Sequence, residues 1–232
     1  MGREEFELLK GGIVKRKTKR HMGLFIDATG LDRATRRLDR KVDLSRLVQG
    51  ITSGAKLEVA RYYALIPYED DARQFAFLDA VERAGVEVIT KRLPPKGVKR
   101  QVSMDVHIAT DMVSFCHGAF ANKASVKDEK AIANGSPLPT GAKPASSLVS
   151  PDGEPLKASE TTLIRPAAPD PNIKRMVTVV CPSREISYAL YMCTQLGGET
   201  SLADFGLYGS SDGWKGVDRW VDLSTSETIW RG

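Results

Sequence analysis

An apolar run that stops on an acid sets the tightest limit on how this chain can fold. Residues Met22 to Leu31 read MGLFIDATGL, so Leu24, Phe25 and Ile26 end at Asp27 and pass into Ala28-Thr29-Gly30. An unbroken apolar run is the pattern of a strand buried on both faces, and such strands belong to parallel sheets. In open α/β sheets the ligand crevice lies beyond the carboxyl ends of the strands. Asp27 is expected there, where a carboxylate beside Gly and Thr suits a hard metal ion or a phosphate. The same residue type also caps helices, and this stretch by itself leaves both roles open.

The rest of the chain repeats the theme. Asp43 can cap a helix carrying Leu44, Leu47, Val48 and Ile51, ended by Gly54. Lys56 to Ile66 (KLEVARYYALI) reads as a strand stopped by Pro67. Glu69 to Ala84 reads as an amphipathic helix burying Phe75, Leu78, Ala80 and Val81, with Gly85 behind it, and Val86 to Thr90 as a third strand. The β-α-β-α-β rhythm predicts a parallel sheet with right-handed crossovers. Leu31 to Lys41 is so densely charged that it reads as a surface loop or an exposed helical turn. Met104 to Phe115 is expected to be a helix, with Asp105 at its start and Asp111 six positions on. In a regular helix these two acids point about 120° apart, so they converge only if Asp105 lies at the N-cap or in the first turn.

Further on, Ile173 to Cys181 (IKRMVTVVC) resumes as a strand, Ser183 can cap a helix running to Leu196, and Glu185 falls in its first turn. Glu199 to Phe205 reads as a short strand, and WKGVDRWVDL as a terminal amphipathic segment. With 232 residues, 41% of them hydrophobic and 27% charged, the chain is sized for one α/β domain plus extra segments. We divide it into a basic N-terminal arm (1–21), an α/β domain (22–117 and 173–223), a Pro/Ser/Ala-rich insertion (118–172) and a tail (224–232).

A net charge of +5 permits a polyanionic partner, and the positive charge is clustered. Lys15, Arg16, Lys17, Lys19 and Arg20 precede the first strand. Lys91, Arg92, Lys96, Lys99 and Arg100 fill a Pro/Gly-broken stretch without one acid, expected to leave the third strand on the same sheet edge as Asp27. A one-sign loop beside an acidic site would hold phosphates near the carboxylates. Three cysteines are too few for a disulfide framework, and Cys116-His117 has no second pair at zinc-finger spacing. No apolar run approaches the roughly 20 residues needed to cross a bilayer. The N-terminal segment has charges where a signal peptide needs its apolar core, so the expected location is cytoplasmic.

Placed in order, these pieces resemble the NYN family, the PIN-like metal-dependent ribonucleases that include the LabA-like proteins. LFIDATGL stands where the family has an I-D-x-x-N-L strand end, and MDVHIATDMV is similar to its V-D-V-x-L-A-x-D-M helix. VTVVCPSREISYAL occupies the place of an L-V-S-G-D-S-D-F turn, and DRWVDL that of a closing A-D-x-F-I-D-L. The resemblance implies a three-layer α/β fold with a mainly parallel central sheet of about five strands, and an acidic pocket holding Mg²⁺ or Mn²⁺ that cleaves RNA. Carried over, Asp27, Asp105 and Asp111 are the implied metal ligands and catalytic acids. Glu185 is an outer acid, and Thr29, Gly30 and Ser183 are the turn residues around them. There are departures: the family's Asn falls on Gly30, one usual Asp falls on Ser183, and the Lys before the central Val-Asp falls on Val102.

Loss of one acid need not end catalysis, because Mg²⁺ commonly keeps several waters and uses only one or two protein carboxylates. The leading expectation is a metal-dependent endoribonuclease, with both basic clusters gripping the RNA backbone. The rival is a catalytically weakened domain that binds nucleic acid or assembles with a protein partner or itself through 118–172. A nucleotide-binding α/β domain ranks below both, since no G-x-x-x-x-G-K-[ST] or G-x-G-x-x-G loop is present.

Overall fold

The structure, a computed structural model, describes residues 6–8, 14–16, 18–52, 55–69, 71–121, 172–206 and 214–231. Two short strands, β1 (Phe6–Leu8) and β2 (Val14–Arg16), pair antiparallel as a separate ribbon. The main sheet contains β3 (Lys19–Asp27), β4 (Lys56–Ile66), β5 (Glu87–Arg92), β6 (Ile173–Val180), β7 (Glu199–Asp204) and β8 (Arg219–Asp222). Their spatial order is β5-β4-β3-β6-β7-β8, and every neighbouring pair is parallel. The fold is the expected three-layer α/β arrangement, with one strand more than anticipated.

Burial explains the layers. The central strands β3 and β6 are buried over their last six residues, as an unbroken apolar run requires. Leu24 and Ile26 join a core with Leu31, Ala34, Leu44, Leu47, Leu78 and Val81, from α1 (Ala28–Leu38), α2 (Leu44–Thr52) and α3 (Ala72–Arg83). Phe25 and Tyr63 join the opposite core, with Ile108, Met112 and Phe115 of α4 (Asp105–Cys116) and Leu190 and Cys193 of α5 (Ser187–Gln195). Residues two apart on a strand share a face, so Asp27 follows Phe25 toward the α4 layer.

Several expectations are corrected. The charged stretch after β3 is helix α1, because Leu31 and Ala34 form a buried stripe that the surrounding Arg and Asp residues mask in the sequence. On α3 only Leu78 and Val81 are buried, while Phe75 and Ala80 lie at the surface. The closing DRWVDL segment contains a strand, β8, paired only with β7. Gly54 and residues 122–171 of the insertion lie outside the described residues. Its first residues belong to the domain: Phe120 packs under the Arg61 guanidinium at 4.5 Å.

The tail, which reads as uninformative, is built into the core. Trp230 is 4% exposed, sits 5.5 Å from Phe205 and lies beneath the Arg40 guanidinium at 4.2 Å. Asp43 and Arg231 extend the attachment through backbone bonds to Ile229 and Lys41. Trp230→Ala should cost about 3–5 kcal/mol, the usual range for emptying a buried aromatic site. Urea denaturation measures it, and a loss below ~1 kcal/mol would mean the tail is not part of the folded core.

Candidate metal centre

The carboxyl edge of the sheet brings two of the predicted acids together. Asp27 ends β3 and also caps α1: its Oδ1 accepts the Thr29 backbone N–H at 2.9 Å. Of the two roles left open by the sequence, capping is the one the hydrogen bond shows, on a residue that also stands at the strand's carboxyl end. Asp27 is only 7% exposed. Burial pushes its carboxyl above the ordinary value of 3.8, the Gly30 and Thr29 N–H groups pull it back, and the nearby charge of Asp105 raises it again. Asp105 is the first residue of α4, where convergence with Asp27 was expected to be geometrically allowed. Its Oδ1 accepts the Ser183 hydroxyl at 2.6 Å.

Ser183 therefore spends its side chain on Asp105 rather than on capping; it precedes a short 3₁₀ turn, Arg184–Ile186, without a side-chain cap bond. Gly30 has an equally local reason. A Cβ there would stand 1.8 Å from the Cys181 carbonyl oxygen, and Cys181 itself takes a left-handed backbone, φ 50°. The end of β6 fills the space that an Asn at position 30 would need.

Asp111 is engaged elsewhere. Its Oδ2 lies 2.7 Å from Arg61 Nη1 and accepts the Tyr63 hydroxyl at 2.5 Å, while Arg61 Nε also donates to Glu87 at 3.0 Å. Six residues of helix carry Asp111 about 9 Å along the axis from Asp105, beside strand residues whose long polar side chains reach it. Among the described residues no three His, Cys, Asp or Glu side chains stand together as a metal-holding group. The anticipated three-carboxylate nest is a pair, Asp27 and Asp105, with Asp111 in a separate buried network. Burial, and then the charge of Asp111, push the Tyr63 phenol well above its usual range. Asp111→Asn should cost roughly 2–4 kcal/mol, somewhat below the usual penalty for orphaning a buried partner because Glu87 stays beside Arg61. If urea denaturation shows no loss while Mn²⁺ binding disappears, Asp111 is a ligand after all.

Residues 21–123, which hold all three acids, match the NYN domain family. This stretch is similar to NYN domains. NYN domains belong to the PIN-like nuclease superfamily, whose members generally depend on a divalent metal. A crystal structure of VPA0982 from Vibrio parahaemolyticus, described as a protein of unknown function, is similar in fold. Its TM-score is 0.59 at 12% identity, over 94% of this chain and 99% of that one. A search of curated proteins finds no significant match.

Around the acid pair, the other predicted residues divide by sheet edge. Lys91 and Arg92 end β5, and Lys96, Lys99 and Arg100 follow on the same edge as Asp27, as expected. Lys91 reaches the Ser103 carbonyl, Arg92 the Tyr68 carbonyl, and Lys96 lies 4.0 Å from Glu69. Lys99 and Arg100 are exposed, as is Glu185 on the turn after Ser183. Of the N-terminal cluster, the two residues on the main sheet stand at its amino edge. Lys19 and Arg20 begin β3, eight residue steps and about 26 Å from Asp27. Lys15 and Arg16 lie on β2, and Lys17 is outside the described residues.

The sequence reading missed Asp204. It ends β7 as Asp27 ends β3, accepts the Phe205 N–H at 2.8 Å, and has its carboxyl raised by burial. Cys181 lies electrostatically between Asp204 and Asp27, and burial pushes its thiol far up, so it is no thiolate nucleophile. The signal was present: SLADFG repeats the pattern of LFIDATG, an apolar run closed by Asp. Two adjacent carboxylates with a hydroxyl beside them fit a hard, largely hydrated cation and lack the N/S donors of a zinc site. Among the described residues no helix is long and apolar enough to cross a membrane.

Proposed function

We propose that the chain is a Mg²⁺- or Mn²⁺-dependent endoribonuclease acting through the acid pair Asp27 and Asp105. The observation that carries this reading is the meeting of these two carboxylates, 78 positions apart in sequence, at the ligand edge of the sheet. Asp27 and Asp105 would hold the ion. When bound, it would activate a water and offset charge on the scissile phosphate. Thr29 and Gly30 orient Asp27 through backbone N–H groups, and Ser183 orients Asp105 through its hydroxyl. Lys99 and Arg100, with Lys91, Arg92 and Lys96, supply positive charge for the RNA backbone, a grip that is blind to sequence and weakened by salt. Glu185 serves as an exposed outer acid, and Asp111 as a strut that fixes α4.

The test is cleavage of single-stranded and structured RNA with Mn²⁺ and with EDTA, beside calorimetric Mn²⁺ titration of wild type and Asp105→Asn. Metal-dependent cleavage and Mn²⁺ heat in wild type, both lost in the variant, support the reading; cleavage unchanged in Asp105→Asn removes it. A second reading draws on Ser183 in the place of a family acid and on the Arg61 capture of Asp111. It is an RNA-binding module without turnover, which predicts salt-sensitive RNA binding indifferent to EDTA and no Mn²⁺ heat.

A further inference from the structure

Helix α5 turns Ala189, Leu190 and Cys193 into the core and leaves two aromatic rings in water. Tyr188 is 72% exposed and Tyr191 42%, three positions apart on one face, with ring centroids 6.4 Å apart and planes tilted by 36°. Packing does not call for them, because the buried stripe of α5 is complete without either.

Cations flank the pair. The Arg184 guanidinium lies 5.3 Å over the Trp214 ring, and Lys215 is exposed while its backbone N–H bonds to the Ser187 hydroxyl at 3.4 Å. The loop holding Trp214 and Lys215 is pressed onto the helix at this point. A Cβ on Gly216, whose φ is +72°, would stand 2.3 Å from the Tyr191 Cα. Position relative to the acids is fixed as well. Ser183, bonded to Asp105, precedes Tyr188 by five residues of helical path, roughly 8–10 Å at about 1.5–2 Å per residue.

Exposed aromatic faces interleaved with cations are how proteins hold unpaired nucleic acid, since every base offers a face to stack on while a duplex keeps its bases covered. We infer that Tyr188 and Tyr191 form a stacking platform for unpaired bases, a subsite on α5 that holds the RNA strand beside Asp27 and Asp105. This rests on the ribonuclease reading for its substrate and deepens it by naming the side chains that hold the strand. Arg184 and Lys215 face the phosphates beside the stacked bases.

The experiment is fluorescence anisotropy in EDTA, where cleavage cannot proceed. The full chain is titrated with a short labelled oligouridylate and with a labelled duplex of the same length. Tighter binding of the single strand is expected, and Tyr188→Ala/Tyr191→Ala should weaken it by about tenfold or more. Tyr188→Phe/Tyr191→Phe should bind as wild type does, because the ring remains. Unchanged affinity in the Ala variant, or preference for the duplex, overturns the platform. Mn²⁺-dependent cleavage assayed separately keeps the two readings apart. An active enzyme with an indifferent Ala variant sinks the platform alone, and a bound but uncleaved single strand sinks only the nuclease. Wild type that binds neither RNA sinks both.

Discussion

Asp27→Asn is expected to abolish Mn²⁺-dependent RNA cleavage while raising thermal stability at neutral pH. The two effects separate because they arise from different properties of the side chain. Asn keeps the acceptor oxygen that the Thr29 N–H needs, and Asn and Asp are equally good N-caps, so α1 starts as before. What disappears is a buried charge. The folded-state pKa of Asp27 lies above its unfolded value of 3.8. Below the unfolded value the neutral acid is buried at little cost; as pH rises through the folded pKa, the ionised form must be buried and stability is lost. The variant carries no such cost, so its advantage is absent under acidic conditions and appears toward neutrality. Catalysis moves the other way. Outer-shell partners of metals typically cost about 10–100-fold when removed, and a direct ligand should exceed that. Thermal melts at several pH values beside cleavage assays check both halves. Full activity in the variant, or lower stability at neutral pH, contradicts the assigned role.

Gly30→Ala is expected to be the most damaging small substitution at the site. The added methyl would meet the Cys181 carbonyl oxygen at 1.8 Å, and both partners are backbone, so neither can rotate away. Forced overpacking commonly costs about 1–3 kcal/mol and sometimes more, against which Ala regains up to ~1 kcal/mol of helix propensity. The upper end of that range, for so close a contact, leaves a net loss of about 2 kcal/mol, equivalent to a melting point lower by roughly 4–8 °C. The displacement would also fall on the residues that matter chemically, since Gly30 donates to Asp27 and Cys181 leads to Ser183 and Asp105. Mn²⁺ affinity should therefore drop even in the folded fraction. A variant as stable as wild type would mean that α1 does not approach β6 this closely.

Both substitutions act at a site whose parts were unequally readable. The strand ends at Asp27 and Asp204 follow from apolar residues closed by an acid, a pattern that local sequence carries because a strand buried on both faces is mostly apolar until it leaves the sheet. The same logic gives the parallel β-α-β order. Surface-masked helices are harder, since α1 needs only Leu31 and Ala34 to pack while Arg and Asp fill the remaining positions. Phe75 and Phe77 mislead in the opposite way, as large apolar side chains at the surface of α3.

By itself the sequence determined the α/β class, the parallel direction of the strands, Asp27 at the carboxyl edge and a basic loop beyond β5, because these depend on periodicity and chain direction. Only the tertiary structure decided which acids meet. Asp105 turns to Asp27 and accepts a bond from Ser183, whereas Asp111, on the same helix, is taken by Arg61 and Tyr63 of β4. Partners so far apart in the chain are chosen by the packing of α4 on the sheet. No local pattern encodes that choice, since an acid's spacing along its own helix says nothing of which strand residue will face it.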